Sequence, residues 1–252
     1  MNVEYHHWDS PHLGQKFEIK VYGDKGRALL AFPSSEGHFY DFENQGMIDA
    51  CAHWIDRGRL QLFAVDGRDW ETWANTGIHP HDRAVRHEVW ERAIVEEAIP
   101  RIGEINQLES REMIVTGCSG GAFHAANFIL KHPDLCDTAI LLSGVYSTKH
   151  FRTDHVDDYD YSDPLIYFNN PLRYLKDLHD EWHLSKLRLS RIIICCGQGA
   201  WEHECLEESY ALSRDLRAKN IDHWLDVWGQ DVNHDWPWWR KQLAYFLGKL
   251  EI

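Results

Sequence analysis

Five nearly unbroken apolar runs punctuate the chain: ALLAF (28–32), LQLFAVDG (60–67), EMIVTG (112–117), TAILLSG (138–144) and RIIICCG (191–197). A strand with water on one face alternates apolar and polar residues. A run that is apolar at every position needs cover on both faces, as strands of a parallel sheet have. The segments between the runs supply that cover. MIDACAHWIDRG reads as a helix that Gly58 can close, and residues 82–102, 120–132 and 204–219 carry helical composition or periodicity. A last helix runs from about Pro237 to Leu250. KFEIKVYG alternates and reads as a strand following an earlier N-terminal one, and HWLDVWG reads as a late strand. The pattern predicts an α/β fold: about eight strands, mostly parallel, with helices on both faces, as one domain spanning 1–252.

Ligands on such sheets bind beyond the carboxyl ends of the strands. That directs attention to the loops after Phe32, Gly117, Gly144, Gly197 and Gly229. The second of these reads VTGCSGGAFH (115–124) and contains G-x-S-x-G at a strand-to-helix turn, the pattern of a nucleophile elbow. Gly117 and Gly121 lack the Cβ that such a sharp turn would crush, and Ser119 is lifted above the sheet edge. The motif alone arises by chance in about one chain of this size in ten; its place between an apolar strand and a helix is what makes it informative.

A serine hydroxyl is a weak nucleophile without a base, and the base needs an orienting acid. On this kind of sheet the three follow in the order serine, acid, histidine. The loop after RIIICCG offers Glu202 and Glu204. Glu202 lies nearer the strand end and is the preferred acid, with Glu204 the alternative. The loop after HWLDVWG holds one histidine, His234, directly before the helix signalled by Asp235 and Pro237. The Gly120 N–H, at the start of the helix after Ser119, is expected to donate to an oxyanion. A second donor belongs in PSSEGHFYDFENQG, where the Ser35 N–H is preferred and Ser34 and Glu36 are its neighbours. His38, Tyr40, Tyr146, Trp201 and Trp236 are candidate substrate contacts. Segment 146–188 is too long for a simple crossover. With its acidic, tyrosine-rich HVDDYDYSD and helical LIYFNNPLRYLKDL, it is expected to cap Ser119.

The formal net charge of −14 argues against nucleic acid as a partner, since nothing neutralises phosphates in bulk. No apolar run is long enough to cross a bilayer, and the polar start MNVEYHHWDSPH does not resemble a signal peptide. The six cysteines show no metal or redox spacing and read as buried free thiols of a reducing compartment, hence a cytoplasmic protein. None of the histidine clusters HHW (6–8), HPHD (79–82) and HEC (203–205) has a recognised ligand spacing, so no metal is expected. No nucleotide fingerprint appears, so no cofactor is expected. The partner expected is a small-molecule ester, and a homo-oligomer is compatible with the sequence.

The chain resembles the putative-esterase, esterase D-like branch of the α/β-hydrolases, especially compact bacterial cytosolic members. The resemblance rests on FPSSEGHFYDFENQGM, TGCSGGAFHAANFILKHPD, LSGVY, IIICCGQGAWE and DVNHDWPWWRKQLAYFLG, which together span most of the chain from about residue 28 onward. It implies an α/β-hydrolase fold and a carboxylic-ester hydrolase with Ser119 as nucleophile, His234 as base and Glu202 as acid. An acyltransferase or thioesterase would use the same set, and an inactive hydrolase-like binding module is the remaining alternative. Two positions depart from the family. Gly120 stands where a larger apolar residue is common, and Ser34-Ser35-Glu36-Gly37 replaces a glycine-rich or Gln-bearing oxyanion loop.

Overall fold

The computed structural model describes residues 1–107, 112–151, 163–250 and 252. In chain order the strands are β1 (Val3–Ser10), β2 (Gln15–Tyr22), β3 (Arg27–Phe32), β4 (Leu60–Val65), β5 (Ile114–Cys118), β6 (Thr138–Leu142), β7 (Arg191–Cys196) and β8 (His223–Val227). The helices are α1 (Asp41–Asn44), α2 (Met47–Ile55), α3 (Pro80–Ala93), α4 (Ile99–Asn106), α5 (Gly120–Lys131), α6 (Pro164–Tyr167), α7 (Pro171–Asp177), α8 (Glu181–Leu187), α9 (His203–Ala218) and α10 (Trp236–Lys249). The strands form one eight-stranded sheet in the order β1-β2-β4-β3-β5-β6-β7-β8. β1 pairs antiparallel with β2, and β2 with β4; every other pairing is parallel.

Side chains alternate across a strand, and the doubly apolar runs use both sides. Ala28, Leu30, Phe32, Val115 and Leu141 face a core closed by α3, α4, α5 and α7–α9. Leu29, Ala31, Ile114, Ile140 and Leu142 face the opposite core, closed by α2 and α10. Each Leu, Ile, Val or Phe among them contributes about 1.5–3 kcal/mol when fully buried, so the runs fix the sheet as the middle layer. The parallel register places the ends of β3, β5, β6, β7 and β8 along one edge, and the site forms there.

Two segments differ from the sequence reading. The helix expected over 82–102 begins earlier, at Pro80, with the His79 side chain capping it by accepting from the His81 N–H. It passes through a π-helical turn, Ile94–Ala98, before continuing as α4. Pro100 explains that turn: it has no N–H to donate to Glu96, and its ring crowds that carbonyl. Segment 146–188 is mainly crossover where it is described. Tyr174, Leu175, Leu184 and Leu187 of α7 and α8 are buried in the sheet core rather than placed over Ser119. Among its described residues, His150 and Phe151 line the Ser119 cavity, with Val145 just before the segment. Most of HVDDYDYSD lies outside the described residues.

Candidate active site

β5 ends in a turn so tight that two carbons are excluded from it. A Cβ on Gly117 would lie 2.2 Å from the Gly121 carbonyl carbon and oxygen, and one on Gly121 would lie 2.5 Å from the Pro33 oxygen. Ser119, between them, is held at φ 56°, ψ −121°, a conformation a non-glycine residue adopts only under strong surrounding constraint. Its N–H donates to the Leu142 carbonyl at 2.9 Å, which ties the elbow to β6.

The constraint aims the hydroxyl at an imidazole. Ser119 Oγ lies 2.9 Å from His234 Nε2, and His234 Nδ1 lies 3.3 Å from Glu202 Oε2. These contacts call for a proton on Nδ1 and a lone pair on Nε2. Glu202 is fully buried. Its Oε1 accepts from Ser143 Oγ–H at 2.6 Å and from the Gly197 N–H at 3.3 Å, while the Cys196 thiol donates to Oε2 at 3.3 Å. Burial alone would raise its pKa; hydrogen bonds from His234 and Ser143 outweigh burial and hold the carboxyl below its ordinary value. Trp239 packs edge-on against His234, centroids 4.9 Å apart, and its indole N–H donates to Ser143 Oγ.

The acid and histidine loops are stitched together. The His234 N–H donates to the Ala200 carbonyl at 2.9 Å, and the Gly199 N–H to the Val232 carbonyl at 2.8 Å. Asn233 Oδ1 accepts from the Ala200 N–H at 2.8 Å. Glu204 is turned away: its side chain is exposed and meets His150 Nδ1 at 3.0 Å. Asp235 caps α10.

Gly120 and Ser35 adjoin. A Cβ on Gly120 would meet Ser35 Oγ at 2.2 Å and the Ser35 nitrogen at 3.1 Å, a packing that suits glycine. Glu36, at φ 57°, donates its N–H to Asp69 Oδ2 at 3.2 Å, so that group is engaged by the carboxylate. Asp69 in turn meets His124 Nε2 at 2.9 Å. Its carboxyl would be raised by burial but is held low by the His124 charge and hydrogen bond. The strand-end loop is thus anchored to α5, the helix that begins directly after Ser119.

A cavity of about 360 Å³ opens at Ser119, walled by Ser35, Glu36, Trp73, Thr76, Val145, His150 and Phe151, with Ala74 between. Trp73 and Phe151 stack at 5.9 Å to form its aromatic side. None of the five candidate substrate contacts lines this cavity. Tyr146 is wholly buried in the sheet core. His38 faces Asp66 at 2.9 Å and stacks on Tyr40. Trp201 is 88% exposed, and Trp236 packs on Trp239. The residues that do line it include Trp73, Ala74 and Thr76 from the loop after β4, which the sequence reading passed over. The signal was present: DGRDWETW follows an apolar strand whose carboxyl end lies on this edge. The histidine clusters serve elsewhere, with His6 on Glu4, His81 on Asp163 and His203 on Glu207.

An eight-stranded, mostly parallel sheet with a strained serine after β5, a carboxylate after β7 and a histidine after β8 defines the α/β-hydrolase fold. Solved structures agree over nearly the whole chain. A ferulic acid esterase superposes with TM-score 0.72 at 17% identity, over 98% of this chain and 96% of that one. The fluorophosphonate-binding serine hydrolase FphF of Staphylococcus aureus gives 0.71 at 13%, over 98% and 97%. An S-formylglutathione hydrolase of Agrobacterium tumefaciens gives 0.73 at 13%, over 98% and 93%. No family model and no curated protein matches the chain. No helix among the described residues is long and apolar enough to cross a membrane.

Proposed function

We propose that this protein is a serine hydrolase of small carboxylic esters that works through an acyl-enzyme intermediate. The observation that carries the reading is the 2.9 Å contact between Ser119 Oγ and His234 Nε2, with the fully buried Glu202 behind the imidazole. His234 takes the serine proton as Oγ attacks the ester carbonyl, and Glu202 stabilises the imidazolium that forms. The N–H groups of Gly120 and Ser35 receive the developing oxyanion, each worth about 3 kcal/mol. His234 protonates the departing alcohol, and water then releases the acid by the same route. The structural neighbours named as esterases and serine hydrolases support this class of chemistry. Thioesters are the second reading, favoured by the S-formylglutathione hydrolase neighbours. The intact serine, histidine and glutamate weigh against an inert binding module, and a cytoplasmic setting suits the six free, buried thiols.

A fluorophosphonate probe followed by mass spectrometry tests the nucleophile. The expected result is one adduct, on Ser119, absent in His234→Ala, with turnover of p-nitrophenyl esters lost by orders of magnitude in both Ser119→Ala and His234→Ala. Folded protein that neither takes the probe nor turns over esters and thioesters would overturn the assignment.

A further inference from the structure

On the side of His234 away from Ser119, three kinds of metal-binding atom converge. Nδ1 lies 3.3 Å from Glu202 Oε2 and 3.7 Å from Cys205 Sγ. One ligand atom from each of the three residues lies within 4.8 Å of the other two, the one such group found among the described residues. Imidazole nitrogen, thiolate sulfur and carboxylate oxygen bind zinc at roughly 2.0–2.3 Å. Around a tetrahedral ion those bonds set neighbouring nitrogen and oxygen roughly 3.4 Å apart, and nitrogen and sulfur roughly 3.6 Å apart. The two separations measured here are close to those edges. A carboxylate–histidine pair belongs to any site of this kind; the thiol is what this chain adds. Cys205 follows Glu202 by three residues at the start of α9, a spacing that brings both to one face of the first turn. The turn above them is exposed at Trp201 and His203, which gives an ion a short way in.

We propose that Glu202, Cys205 and His234 form a binding site for a soft divalent cation, zinc above all, and that filling it switches the triad off. Binding forms a metal–sulfur bond and releases the Cys205 thiol proton to solvent. The ion takes the Nδ1 lone pair, the Glu202 carboxylate completes the protein donors, and a water fills the fourth position. The proton that Nδ1 carried is lost to solvent while Nε2 gains one, so the ring stays neutral. An Nε2–H has no lone pair for the Ser119 hydroxyl, and the serine loses its base. Nothing is oxidised or reduced. The ion is an inhibitor here, with no part in turnover. The binding stands on the geometry alone, whereas the switch rests on the ester-hydrolase reading.

The experiment titrates zinc chloride into metal-free full-length protein and counts the metal retained after desalting, with cobalt(II) as an optical probe of the ligands. One retained zinc per chain, a thiolate-to-cobalt charge-transfer band, and ester hydrolysis lost in step with occupancy and restored by EDTA are expected. Cys205→Ala and Cys205→Ser should hydrolyse esters and need on the order of 100-fold more zinc for inhibition. Retention unchanged in Cys205→Ala, or a cobalt spectrum without the thiolate band, would place the ion on other histidines and overturn the site. The cobalt band is read on the unsubstituted protein, so it decides the site even if the variants fail to fold. A filled site with undiminished hydrolysis would overturn the switch. If the protein hydrolyses no ester at all, retention and spectrum still decide the site, and only the enzymatic reading fails.

Discussion

Two glutamates two positions apart stand in opposite environments, and a single substitution at each separates their roles. Glu202 is buried with donors on both oxygens, whereas Glu204 meets His150 at the surface. Glu202→Gln is expected to lower kcat by up to about 10⁴, since the amide favours the wrong imidazole tautomer. Glu204→Gln should stay within a few-fold of the parent, and steady-state kinetics on one ester checks both. A further test concerns the oxyanion loop. Asp69→Ala leaves the Glu36 N–H and His124 without their shared acceptor and frees the Ser35 peptide. The expected loss is on the order of 10–100-fold in kcat with KM little changed, part of what deleting one oxyanion donor removes. That Ser119, His234 and Glu202 would converge was legible in the sequence, because each follows a recognisable strand in a fixed order. Asp69 and His124, 55 positions apart, were not: their pairing follows no helical or strand period, and His124 reads simply as one residue of an apolar helix.

Helix α3 carries an acid-sensitive pair one turn apart. Burial, with a smaller contribution from His124, pushes the His87 imidazole down to about 3. Burial would raise Glu91, but His132 and Lys131 outweigh it and bring that carboxyl down to about 2. An unfolded histidine takes its proton near pH 6.5. The stability His87 contributes is therefore complete above about 6.5 and is lost as pH falls through about 3; the Glu91 share is complete above about 4.5 and lost as pH falls through about 2. Between pH 6.5 and 5 the pair loses on the order of 2 kcal/mol, from His87 alone. His87→Phe should abolish that early loss, seen as a smaller fall in Tm between pH 7 and pH 5. At this scale the sequence was informative about which elements exist and less so about where they bend. The long helical stretch was readable from its composition, while the π turn depends on Pro100 acting four residues back.

At the scale of the molecule, the sheet order and the two cores follow from apolar runs that demand cover on both sides, and these were readable directly. The path of residues 146–188 was not, because an apolar stripe such as that of α7 marks a helix without naming the surface it meets. The cavity gives the whole-molecule expectation. About 360 Å³ bounded on one side by Trp73 and Phe151 favours compact acyl groups. p-Nitrophenyl acetate or butyrate should exceed the palmitate ester in kcat/KM by on the order of 100-fold, and a chain-length series measures it. Equal rates along the series would show that the acyl group lies outside this cavity.

The contact between residues 35 and 120 also limits the routes by which this chain can change. A first side-chain carbon at 120 would fall 2.2 Å from Ser35 Oγ and 3.2 Å from Ser35 Cβ, so a residue larger than glycine there requires the Ser35 hydroxyl to turn away. A larger residue at 120 is therefore accommodated more easily once 35 is smaller or its side chain has rotated. Substitution at 35 before 120 is therefore the easier order, and the reverse first has to displace the Ser35 hydroxyl. The two positions, 85 residues apart in the chain, are thus sterically coupled, so the effect of a change at one depends on the residue at the other.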